Sequence, residues 1–147
     1  MIGLKLYPSL VLLLLLFASF KTTKVQAQAV DIGDISELNG SAQIVRDKPY
    51  DANLKFAVQS NDEAITTNGR MAITFLDESI VRLTEHSQLL IDEYIYDPDP
   101  SKAKMALTFG LGTARFISSN LNKINKNNIK LSTPTADIAI RLSLIHI

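Results

Sequence analysis

Short apolar runs of period two, cut by turn residues roughly every 8–12 positions, constrain this chain more than any other feature. Leu54, Phe56 and Val58 alternate with Lys55 and Ala57. Ala103, Met105, Leu107 and Phe109 alternate with Lys104, Ala106 and Thr108, the pattern of a half-buried strand. Past residue 29 no window keeps a 3.6-residue period over three turns. The chain is therefore expected to be all-β, an antiparallel sandwich or roll of about 8–11 short strands.

The turns divide it further. Asn39-Gly40 separates residues 34–38 from 41–46, and Asn-Gly predicts a type I′ hairpin there. Asn68-Gly69 marks another turn. A two-residue Asp77-Glu78 loop would set Phe75 opposite Ile80 and Thr74 opposite Val81, with apolar groups on both faces. Glu is poor at positive φ, and a longer loop is the alternative. In residues 88–96, Leu89, Ile91 and Ile95 fall on one face, and Leu90, Asp92, Tyr94 and Tyr96 on the other. Asp97-Pro98-Asp99-Pro100 breaks the ladder. Gly110 and Gly112 flank a bend before a strand over 113–119, residues 120–128 (NLNKINKNN) read as a solvent loop, and two last strands meet at Pro134.

Both ends read as lying outside the fold. Residues 1–29 have the form of a secretory signal peptide: Lys5, an apolar core LVLLLLLFASF, and the small-x-small site Ala27-Gln28-Ala29. A spanning helix wants about 20 apolar residues, so cleavage is favoured over a stable membrane anchor. Residues 142–147 (LSLIHI) are what one frame of a common sequencing adapter would encode, and are expected to be a non-native tail. That leaves a domain over residues 30–141. The leader holds three lysines and no acid, so residues 30–147 carry 12 basic and 15 acidic residues, net −3. Binding to nucleic acid by bulk charge is not expected. With no cysteine, disulfides, thiolate metal sites, thiol catalysis and lipoprotein anchoring are excluded.

No pattern for chemistry emerges. His86 lacks ligand spacing and reads as a surface histidine. Asp92 and Glu93 are expected on opposite strand faces, which forbids a facing carboxylate pair. Gly110-Leu-Gly112 lacks the rest of a phosphate loop, and no serine sits in Gly-x-Ser-x-Gly. No catalytic residue, cofactor or metal is expected. Tyr94 and Tyr96 form either a core rim or an exposed binding strip, with the rim favoured.

One stretch is more specific. NDEAITTNGRMAITFLDESIVRLTEHSQLLIDEY resembles the central motif of the FecR domain family. Asp62, Ile65, Thr67, Gly69, Phe75, Asp77, Ser79, Leu83, Ser87, Leu89 and Ile91 fall in step with its Gly-Asp, Asp-Gly-Ser and Ser-x-Leu-x-Ile elements. LTFGLGTARF resembles a later strand pair through Leu107, Gly110 and Arg115, the arginine shifted by two. STPTADIAIR is similar to the Thr-Pro to Arg segment through Thr133, Pro134, Ala136, Ala139 and Arg141, and IGDISELNGSAQIVR to the opening hairpin. The departures are Asn61 and Glu78, where the family has glycine.

The resemblance implies a β-rich extracytoplasmic domain without catalytic residues. In it Asp62, Thr67, Asp77, Ser79, Gly110, Thr133, Pro134 and Arg141 specify the fold. Ferric-citrate-type regulators place this domain after an anti-sigma region and a membrane helix; here it is expected to follow a leader instead. The expected function is a non-catalytic sensor or protein-interaction module of the bacterial envelope, periplasmic or secreted, meeting another envelope protein, in signal transduction or otherwise. The alternative is an envelope carbohydrate- or polymer-binding module using Tyr94 and Tyr96, or the N-terminal piece of a larger surface protein.

Overall fold

A computed structural model describes residues 29–118, 124–134 and 136–138. They form an all-β sandwich of two sheets. The strands are β1 (Asp31–Asn39), β2 (Ala42–Val45), β3 (Pro49–Asp51), β4 (Ala57–Gln59), β5 (Glu63–Thr66), β6 (Arg70–Phe75), β7 (Ile80–Leu83), β8 (Gln88–Ile95), β9 (Lys104–Leu111), β10 (Ala114–Ile117), β11 (Ile129–Thr133) and β12 (Ala136–Ile138). One sheet has the order β10-β7-β6-β1-β4, the other β12-β11-β9-β8-β5-β2-β3.

Alternation builds the core. Ile35, Met71, Ile73, Phe75, Val81 and Leu83 face inward from the first sheet. Ile44, Leu89, Ile91, Met105, Leu107 and Leu131 meet them from the second in one continuous cluster. β9 behaves as its sequence predicts, with Met105 and Leu107 buried and Ala103 just ahead of it. Pairing is antiparallel except for β9 with β11. Parallel neighbours need a crossover, and here the chain makes it by placing β10 in the opposite sheet.

Several expectations fail for identifiable reasons. Asn39-Gly40 does not close a hairpin. β1 pairs with β4 and β6, β2 with β3 and β5, so the chain changes sheet at this corner. Gly40 has φ +83°, but Asn39 is not left-handed as a type I′ turn requires. Asn68-Gly69 is a second corner, taking β5 to β6 and so back to the first sheet. The two corners pack together: a Cβ on Gly40 would strike the Asn68 carbonyl, and one on Gly69 the Asn39 carbonyl. The expected strand around Leu54 begins only at Ala57, because Lys55 turns at φ +67°.

A bulge between Ile91 and Glu93 shifts the alternation of β8 by one. Tyr94 therefore joins Ile91 in the core, Ile95 is exposed, and Asp92 and Glu93 both face solvent instead of opposite sides. Both faces of the β6–β7 hairpin carry apolar groups, Ala72 and Ile80 on the outer one, but that outer face is mixed. It also carries Arg70, Thr74 and Arg82. Within the expected solvent loop, Ile124 is only 3% exposed and Lys126–Asn128 forms a 3-10 turn. Residues 119–123 lie outside the described residues.

The β6–β7 loop is the longer one. Thr74 pairs with Ile80 and Ile73 with Val81, while Phe75 N–H donates to the Ser79 carbonyl at 2.9 Å. Leu76, Asp77 and Glu78 form a three-residue loop whose last member, Glu78, has φ +67°. That is a type I turn closed by a left-handed residue, the position that favours glycine. Asn61 sits at φ +68°, so both departures from the glycine pattern keep the glycine conformation. Glu78→Gly is expected to stabilise the fold by about 1 kcal/mol, and Asn61→Gly by less, since Asn tolerates this region better. A lowered urea midpoint for Glu78→Gly would refute this.

Candidate functional site

The buried polar side chains form three clusters at the ends of the strands. In the first, Asp62 is 0% exposed, between β4 and β5. Its carboxylate accepts from Arg46 Nε at 2.6 Å and Nη2 at 2.7 Å, and from the Gln59 backbone N–H at 2.8 Å. The fork geometry is the strong form of such a pair. The hydrogen bond to Asp62, more than the partial burial opposing it, raises the Arg46 pKa above its usual value.

The second cluster holds the β6–β7 loop onto the other sheet. Ser79 Oγ donates to Asp77 Oδ1 at 2.7 Å, and Tyr94 Oη donates to the same oxygen at 2.9 Å. The Asp77 backbone N–H returns a hydrogen bond to Tyr94 Oη at 2.9 Å. The Tyr94 ring stacks on Phe75 with centroids 5.3 Å apart. Burial first, and the Asp77 charge second, push the Tyr94 hydroxyl pKa well above the usual phenol value.

In the third, Thr66 Oγ1 donates to the Thr84 carbonyl at 2.5 Å and accepts from the Ser87 N–H at 2.9 Å. Ser87 Oγ accepts from the Thr113 N–H at 3.0 Å. Among the described residues no buried side-chain nitrogen or oxygen lacks a partner. These groups are hydrogen-bonded to one another, which suits holding loops in place.

The motif residues thus occupy different roles. Asp62, Asp77 and Ser79 are buried links. Thr67 is exposed, its hydroxyl donating to the Ser41 carbonyl at 3.1 Å, while its neighbour Thr66 is the buried one. Gly110 lies within β9 against the Gln88 side chain. Thr133 ends β11 and Pro134 follows it. Ala29 is exposed; Ala27 and Arg141 lie outside the described residues. His86 is an exposed turn residue at φ +52°. Among the described residues no three His, Asp or Glu side chains converge as metal ligands.

Tyr94 and Tyr96 part company at the bulge. Tyr94 is 5% exposed and Tyr96 46%. A cleft of about 550 Å³ beside Tyr96 is lined by Val30, Leu76, Ile95 and Asn61. A second, of about 490 Å³, lies on the outer face of the five-stranded sheet, bordered by Arg70, Arg82, Arg115 and Glu37. Sequence reasoning missed Arg46 and these arginines as a group. A motif aspartate on an inward position needs a cation, and that requirement alone could have pointed to Arg46.

A family model described as FecR protein matches residues 61–144, more than half of the chain. The chain belongs to the FecR family. No curated protein and no solved structure matches it. The FecR match opens at Asn61, one of the left-handed residues described above, and covers the residues of all three buried clusters except Arg46 and Gln59. FecR proteins are a regulatory and sensor family, extracytoplasmic in general. Among the described residues no helix is long and apolar enough to cross a membrane.

Proposed function

We propose that this FecR domain is an exported, non-catalytic interaction module of the bacterial envelope that transmits or senses by meeting another protein. Residues 1–29 serve as its leader and residues 30–141 as the working domain. Residues 142–147 are a non-native tail, although the family match reaches three residues into it.

One observation carries the reading. Every buried polar side chain described is used internally, so the groups left to act are on the surface. That surface includes open sheet margins. β3 is a guarded edge, three residues long, opened by Pro49 and flanked by Asp47 and Lys48. β10 ends the five-stranded sheet with a single charged residue, Arg115, and is the better place for a partner strand. The polymer-binding alternative relied on a two-tyrosine strip, and with Tyr94 buried that strip shrinks to Tyr96.

A photocrosslinking residue placed at Thr113 or Ile117, beside or within β10, is expected to trap one discrete envelope protein in cells. Scans of both sheet margins that trap nothing would overturn the proposal.

A further inference from the structure

The outer face of the five-stranded sheet carries one row of side chains across four strands. Glu37 pairs with Ala72, Ala72 with Arg82, and Arg82 with Arg115. Arg70 opens β6 on the same face, opposite Asn39. Arg82 Nη2 reaches over the small Ala72 to Glu37 Oε1 at 2.6 Å. This leaning explains why Ala72 is buried although it points away from the core. It also turns Arg82 away from Arg115. Among the described residues, Arg115 and Arg70 have no carboxylate within ion-pair distance.

We propose that this face docks an acidic, extended segment of a partner protein, whose carboxylates sit on Arg115, Arg82 and Arg70. The proposal rests on the interaction-module reading and names the surface and chemistry it uses. Three observations support it. Arg82 stands directly opposite Arg115, a like-charged cross-strand pair that the Arg82–Glu37 ion pair offsets only in part. An anion between them reverses that sign. The cleft on this face is bordered by three arginines and one glutamate, and Asp34, farther along β1 on the same face, is paired with Lys55; residues 30–147 are net negative, so the basic charge around the cleft runs against the trend. All three cations are arginine, whose fork suits carboxylates.

The occupant follows from the surroundings. The half-buried Leu38 adds an apolar side chain to the cleft lining. The cleft lies beside β10, whose outer main-chain edge has no strand partner among the described residues. A polypeptide offers both a backbone to pair with that edge and alternate side chains for the arginines. A lipid headgroup or an acidic glycan offers only the charge.

The test uses the full chain as expressed and a fluorescent eight-residue peptide of alternating Glu and Thr. Binding is expected at low ionic strength and should weaken as salt rises. The double variant Arg82→Gln/Arg115→Gln is expected to weaken it by about tenfold or more. Lys48→Gln/Lys130→Gln, in the loop before β3 and on β11, away from this face, should leave it unchanged. The arginine variant loses both the like-charged Arg82–Arg115 pair and the exposed Arg82–Glu37 ion pair, two small effects of opposite sign, so its thermal midpoint should stay close to that of the wild type and loss of binding is not loss of fold. Amide NMR shifts on peptide addition should centre on Arg82, Leu83 and Arg115. Absence of peptide binding, or equal binding by the arginine variant, overturns the proposal. So does stronger binding to phosphatidylglycerol vesicles or alginate than to the peptide. An envelope protein crosslinked equally well by wild type and arginine variant would sink this inference and leave the module reading standing. Arginine-dependent peptide binding with no crosslinked partner would do the reverse.

Discussion

Asp62→Ala is expected to lower the unfolding free energy by about 3–5 kcal/mol. The carboxylate is fully buried and holds three donors: two from Arg46 and the Gln59 backbone N–H. Its removal leaves a guanidinium facing a hole and frees the turn between β4 and β5. Arg46 keeps some contact with water and a 3.3 Å hydrogen bond to the Ala57 carbonyl, which places the loss toward the lower end. Arg46→Ala should be comparably harmful, because it strands the buried anion. With total stabilities of about 5–15 kcal/mol for domains, either change removes a large fraction. Urea unfolding measures it, and a loss below about 1 kcal/mol for Asp62→Ala would show that the pair is ornamental.

Tyr94→Ala should be equally damaging, at about 3–5 kcal/mol, since it empties a core position and breaks the stack with Phe75. Tyr94→Phe isolates the hydroxyl and is expected to cost about 1–2 kcal/mol, because Asp77 then loses two hydrogen bonds. Alkaline pH supplies an independent readout. The unfolded phenol loses its proton near pH ~10, whereas the folded one keeps it well above that. In that range the native state binds one more proton than the unfolded state, so stability falls as pH rises, by about 1.4 kcal/mol per unit. The stability it confers is fully present below the unfolded pKa. Tyr94→Phe should lack this steep limb. An identical alkaline profile in both proteins would disprove the buried hydroxyl. Any surface role for aromatic groups here is better tested at Tyr96, where substitution does not strike the core.

Much of the architecture was legible because alternation reports burial directly. Ala103, Met105, Leu107 and Phe109 spell out one side of β9 without reference to any partner. Turn chemistry was less informative. Asn39-Gly40 announces a change of direction, but a corner between sheets and a hairpin within one make similar local demands. Only the identity of the next strand's neighbour separates them, and that depends on residues far along the chain. The bulge at Asp92 shows the weakness of counting by twos: one unpaired residue moved Tyr94 from rim to core and separated it from Tyr96. The family pattern located Asp62, Asp77 and Ser79, whose roles as buried links depend on partners it does not name. Arg46, just past the end of β2, and Tyr94, on β8, reach them from elsewhere in the chain. The row from Glu37 to Arg115 is less visible still, since it exists only once four strands lie in register.

The abutting glycine corners have a kinetic corollary. Neither crossing can settle until its counterpart has arrived, so the N-terminal strands should not form a free-standing early unit. Closure there belongs late on the folding route, after β6 has come home beside β1. Until that moment both pleated halves remain ajar, and a young chain held in the unassembled state is the form most exposed to proteases and to pairing with its siblings.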